Sequence, residues 1–133
     1  MVPGAVAPDN TTVVSAGIVS PETGEFYINV IRGTKPEHIF TRFYKVPPPI
    51  DVVAYTGADA KGRLYVVLFY ADKSFLACFN SAGAPVGQTE MQKHLGNNPG
   101  RPFRTYRVLE SGGLLYQVMS DTGSNYELYD CHP

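Results

Sequence analysis

Apolar and polar positions alternate with a period of two along most of this chain, in short runs set apart by clusters of Gly, Pro, Asn and Asp. That is the pattern of half-buried strands joined by turns. Residues 13–20 are β-branched and apolar, and Pro21-Glu22-Thr23-Gly24 then supplies turn chemistry. Residues 25–31 make a second strand, ended by Arg32-Gly33-Thr34-Lys35-Pro36. Residues 38–46 make a third, closed by Pro47-Pro48-Pro49. Proline has no N–H for a ladder, so that triplet must lie between strands.

The three-part phrase recurs. Residues 51–56, 63–70 and 74–80 form a second copy, and residues 103–109, 114–119 and 125–131 a third. In each copy a Gly stands three residues before a Tyr of the middle strand: Gly24 and Tyr27, Gly62 and Tyr65, Gly113 and Tyr116. The first two copies begin roughly 39 residues apart and the third about 52 later, self-similarity of the kind shown by stacked sheet modules. The excess matches the segment 89–102. There Thr89-Glu90-Met91-Gln92 fits a capping box and Gly96 a helix stop, so one short helix is expected near 89–96.

The expected fold is therefore all-β: about nine antiparallel strands in three meander-like repeats, within a single domain over 11–133 behind a flexible leader over 1–10. Three closures fit: a barrel, a two-sheet sandwich, or half of a β-propeller that dimerises. Arg63-Leu64-Tyr65-Val66, with the stretch from Phe79 to Gly87, resembles a blade of the NHL type of β-propeller. Leu115-Tyr116 with residues 121–125 and Leu128-Tyr129-Asp130 resembles another. The likeness covers two of the three copies and implies the half-propeller closure.

Composition narrows the functions. An apolar share of 44% argues against a disordered chain, and 11 basic against 12 acidic residues exclude a globally basic nucleic-acid binder. No charged start and long apolar stretch marks a signal peptide, so a cytoplasmic or viral-intracellular setting is expected, with secretion open if a leader is removed. Of the two cysteines, Cys78 and Cys131, neither belongs to a C-x-x-C pair. Two buried thiols are the first expectation and one disulfide the alternative.

Chemistry is sparse. His38, His94 and His132 fall in separate segments without ligand spacing, and Asp121-x-Gly123-x-Asn125 lacks the ligands of a calcium loop, so no metal or cofactor is expected. There is no Gly-x-Ser-x-Gly elbow, Walker loop or G-x-G-x-x-G cradle. Two leads remain. Tyr27, Tyr65 and Tyr116, with Tyr44, Tyr70, Tyr126 and Tyr129 nearby, could give a ligand or a protein partner apolar rings with hydroxyl tips. Lys93, Arg101, Arg104 and Arg107 gather in one segment that carries Glu90 as its lone acid, which suits an anion.

Three functions follow. The leading one is a non-enzymatic binding domain that recognises a protein partner or small ligand through its Tyr-rich strands, a homodimer included. The second is an anion- or nucleotide-binding protein, enzymes among them, using the basic segment; nucleic acid and membrane are not expected partners. The third is a structural or assembly protein, viral or otherwise, whose sheet edges pair between chains.

Overall fold

The computed structural model describes residues 5–6, 12–32, 37–91, 103–120 and 123–131. Among them the chain is all-β, with eleven strands in three antiparallel sheets. The first sheet holds β1 (Ala5–Val6), β2 (Thr12–Ser20), β3 (Glu25–Arg32) and β4 (Glu37–Lys45). The middle sheet holds β5 (Val52–Ala58), β6 (Leu64–Phe69), β7 (Ser74–Phe79) and β8 (Pro85–Met91). The last holds β9 (Phe103–Val108), β10 (Leu114–Ser120) and β11 (Gly123–Tyr129). Each sheet is a meander of sequence neighbours, joined by hairpins, with no crossover.

Strand alternation explains how the sheets stack. In β3, Phe26, Ile28 and Val30 point to one side, and they share a core with Leu64, Val66 and Leu68 of β6. The intervening residues of β6, Tyr65 and Val67, point the other way and share a second core with Leu114 and Tyr116 of β10. The middle sheet is thus buried on both faces, which is why Leu64–Phe69 is a continuous apolar run without polar alternation. Fully burying side chains such as Val66 and Leu68 contributes roughly 1.5–3 kcal/mol each.

Between sheets, the backbones come closest at the leading strands: β2 approaches β5, and β5 approaches β9. The later strands of the first and middle sheets splay apart at a cleft, whereas the end of β11 stays against β7 and β8. Gly57 permits one of these approaches. It sits at a bulge in the β5–β6 register with φ +147°, and a Cβ there would lie 2.9 Å from Val108 of β9. Gly57→Ala combines an unfavourable backbone with overpacking, so it is expected to cost on the order of 2 kcal/mol, read by urea unfolding.

Several expectations need correction. The sheets do not close into a barrel; they stack in three layers, because the middle meander is apolar on both sides. Thr89–Met91 is not the start of a helix. It completes β8, with Leu76 opposite Thr89 and Ser74 opposite Met91, so a ladder to β7 outweighs the local capping signal. Residues 92–96 lie outside the described residues. With β1, β8 is also why eleven strands stand where about nine are expected.

The two cysteines are not separate thiols. Cys78, fully buried on the face of β7 that meets the last sheet, is bonded to Cys131 just beyond β11, with 5.8 Å between Cα atoms. The last sheet packs on that face and brings the chain end over β7, and the Cys131 carbonyl passes so close to Gly87 of β8 that a Cβ there would lie 2.8 Å away.

The tyrosine repeat also slips by one residue. In the hairpins before β6 and β10, Gly62 and Gly112 hold equivalent places, each donating its N–H to the carbonyl three residues back, Asp59 and Leu109. Leu64 therefore corresponds to Leu114, as the pairs Ala58–Leu64 and Val108–Leu114 show. Tyr116 corresponds to Val66 rather than to Tyr65. One step along a strand reverses the face, so Tyr65 and Tyr116 point into the same layer from opposite sides.

Candidate functional site

The most polar cluster in the interior is centred on Asp59, in the hairpin between β5 and β6, with 1% of its surface exposed. Its Oδ1 accepts the N–H groups of Lys61 and Arg63 at 2.9 and 3.0 Å. Its Oδ2 accepts Arg63 Nε at 2.6 Å and the Tyr65 hydroxyl at 3.0 Å. That hydroxyl in turn accepts the Gly113 N–H at 2.9 Å, and the Ala60 N–H reaches the Glu110 carbonyl at 2.9 Å. Burial, the largest single influence, pushes the Asp59 carboxyl up; the hydrogen bonds from Arg63 and Tyr65, with the guanidinium charge, outweigh it and hold the group below its ordinary value. Every oxygen of Asp59 is occupied from within the chain. The cluster ties the β5–β6 hairpin to the β9–β10 hairpin and offers no open position to a substrate.

The structure separates the tyrosines. Tyr65 and Tyr116 are buried between the middle and last sheets, with Tyr106 tilted against Tyr116 at a centroid distance of 4.8 Å. Tyr27 is half-buried on the outer side of the first sheet, where its ring covers Gly17. Of the basic residues, Lys93 and Arg101 lie outside the described residues. Arg104 stands in β9 opposite Val118, its side chain outside what is described, and Arg107 is exposed on the outer side of the last sheet, opposite Leu115.

Among the described residues, no sheet packs on the outer side of the first sheet or of the last. On the first sheet, alternation from the inward residues leaves Val13, Val19, Tyr27, Ile31 and Phe43 on the outer side. On the last sheet it leaves Leu115, Gln117, Tyr126 and Leu128, with Arg107. Among the described residues seven large apolar side chains are exposed, and five of them lie on these two faces: Val13, Val19 and Phe43 on one, Tyr126 and Leu128 on the other. Phe43 is 67% exposed and Leu128 63%. Polar neighbours on each face bond within the face: Thr41 donates to Asn29 at 2.8 Å on the first sheet, and Gln117 to the Tyr126 hydroxyl at 3.3 Å on the last. Sequence reasoning missed Phe43 and Leu128. The available signal was a run such as Ile39-Phe40-Thr41-Arg42-Phe43-Tyr44, apolar on both alternating sides at once.

Where the first and middle sheets splay, a cleft of about 410 Å³ opens between β3–β4 and β7–β8. Rings of Phe26, Tyr44 and Phe79 line it, with Val86 at one side and Lys45 and Gln88 among its polar neighbours. The Tyr44 hydroxyl is held by the Gly83 carbonyl at 2.6 Å. Burial of this tyrosine pushes its hydroxyl above its ordinary value, against the pull of nearby Arg42.

Among the described residues no group of three or more His, Cys, Asp and Glu side chains could hold a metal ion, and no helix is long and apolar enough to cross a membrane. Comparison with protein-family models, with curated proteins and with solved structures finds no match for this chain.

Proposed function

We propose that this chain is a non-enzymatic assembly domain that works by packing its two open sheet faces against protein faces of the same kind. The observation that carries this reading is the placement of exposed apolar side chains: five of seven fall on the outer sides of the two terminal sheets. Surfaces with aromatic and aliphatic residues, one Arg and few other charges have the make-up of interface cores. Light scattering over roughly 1–500 µM tests it, a range in which millimolar to micromolar affinities register. The average mass should rise with concentration, and the double substitution Phe43→Asp with Leu128→Asp should keep it at one copy. A wild-type chain that stays strictly monomeric throughout would overturn the reading.

A second reading rests on the cleft. Its volume lies within the usual range for small-ligand sites, and three aromatic rings beside one Lys suit a flat apolar molecule with an anionic group. Aromatic carboxylates should then raise the melting temperature of the wild-type chain, and Val86→Trp, which fills the cleft mouth, should abolish that rise. No shift with any of them would exclude this use.

The Cys78–Cys131 bond weighs for an oxidising setting, where such links persist, over the intracellular one expected from the sequence.

A further inference from the structure

We infer that two copies of this chain close into a six-sheet ring, each copy's last sheet packing on the first sheet of the other. This rests on the assembly reading above and specifies its partner.

The order of faces inside the chain dictates the arrangement. Each strand has two sides, and the first pair after each hairpin, Ser20–Glu25, Ala58–Leu64 and Val108–Leu114, fixes which side is which. The side of β3 carrying Phe26 and Ile28 packs forward onto the middle sheet. The equivalent side of β6, with Tyr65 and Val67, packs forward onto the last sheet. The equivalent side of β10, with Leu115 and Gln117, meets no further sheet among the described residues. On the backward side, Leu64 and Val66 receive the first sheet, and Leu114 and Tyr116 receive the middle one. The equivalent backward residues of β3, Glu25 and Tyr27, receive no sheet among the described residues. One forward face and one backward face are left over, and they are the two kinds that meet twice within the chain.

Shape limits the number of copies. The sheets come together at β2, β5 and β9, and the first and middle sheets part at the cleft between β3–β4 and β7–β8, so the stack is wedge-shaped there. Rings of such sheets usually contain about four to eight, so two wedges of three fit and three do not. Three strands of about seven residues span roughly 14 by 23 Å, on the order of 300 Å² per face. A two-copy ring covers four such faces, on the order of 1,200 Å² in all, which is enough for a specific interface. The polar side chains that would be covered, Asn29 with Thr41 and Gln117 with Tyr126, already bond to each other.

Sedimentation equilibrium of the 133-residue chain, alone and as two single variants, tests the ring. The wild type should reach a plateau at twice its 14.5 kDa mass. Phe43→Asp and Leu128→Asp, each at a side chain more than 60% exposed, should leave the circular dichroism unchanged yet each weaken dimerisation by roughly tenfold or more, since every contact then has one altered face. An equal mixture of the two should regain a two-copy species, because Leu128→Asp chains keep a native first sheet and Phe43→Asp chains a native last sheet. If only one variant dissociates, the faces pair like with like and the ring is wrong although assembly stands. A mass that grows past two copies indicates an open head-to-tail chain, with the same consequence. A strict wild-type monomer overturns the ring and the assembly reading together.

Discussion

Replacing both Cys78 and Cys131 with alanine is expected to lower the unfolding free energy by about 4 kcal/mol and the melting temperature by on the order of 15 °C. The bond spans 53 residues, from the fully buried core of the middle sheet to the end of the last one. Without it the unfolded chain recovers the freedom of a long loop, and the magnitude follows from that loop length. The last sheet should suffer first, since among the described residues it has three strands and packs against a sheet on one side. Thermal unfolding with and without reductant, alongside the alanine pair, reads the effect. Two titratable thiols in the denatured but unreduced protein would show that the link is absent.

Asp59→Ala is the second large effect, expected at about 3 kcal/mol. The substitution strands Arg63 beside the hairpin, leaves the Lys61 and Arg63 N–H groups and the Tyr65 hydroxyl without their acceptor, and loosens the tie to Gly113. Arg63 keeps about a quarter of its side chain in water, which places the cost at the low end for a broken buried pair. Gly112 lies beside the Arg63 guanidinium at φ +111°, a backbone conformation that favours glycine.

The same cluster sets two pH limits. The Asp59 carboxyl is held below its ordinary value in the folded protein, so its contribution is complete above about pH 4, where the unfolded group ionises, and is lost as pH falls through the folded value. The Tyr65 hydroxyl is pushed up to about 12, chiefly by burial, with the Asp59 charge acting in the same direction. Its contribution is therefore complete below pH 10 and is lost as pH rises from there to about 12. Tyr65→Phe should flatten that part of the alkaline limb of a urea-midpoint profile while leaving the overall strand signal in place. An alkaline limb identical to that of the wild type would separate Tyr65 from the effect.

Much of the fold is legible in the residues themselves. Phe26, Ile28 and Val30 alternate with Glu25, Tyr27 and Asn29, and the strand they predict is β3. The turn residues around Gly24 and Gly62 end strands where the hairpins fall. What resisted reading depends on partners distant in sequence. Leu64–Phe69 announces a strand, but its two-sided burial depends on sheets contributed by residues some 35 before and 50 after it. Thr89 satisfies a capping motif locally, yet β7 supplies a ladder that no local window contains. Asp59 drew no attention because it sits in an ordinary-looking turn. An Asp at the head of such a turn, followed by Lys61 and Arg63, is the signal of a side chain that binds its own backbone two and four residues on. The tyrosine spacing misled for a physical reason: a one-residue difference between hairpins reverses which face a side chain takes.

The middle sheet is shared, with odd and even residues of β6 belonging to different layers. A methyl- and aromatic-resolved nuclear Overhauser spectrum tests this directly. Leu64, Val66 and Leu68 should show contacts to Phe26, Ile28 and Val30, while Tyr65 and Val67 show contacts to Leu114 and Tyr116. Contacts from Val66 and Val67 to one and the same sheet, or either set facing water, would contradict it.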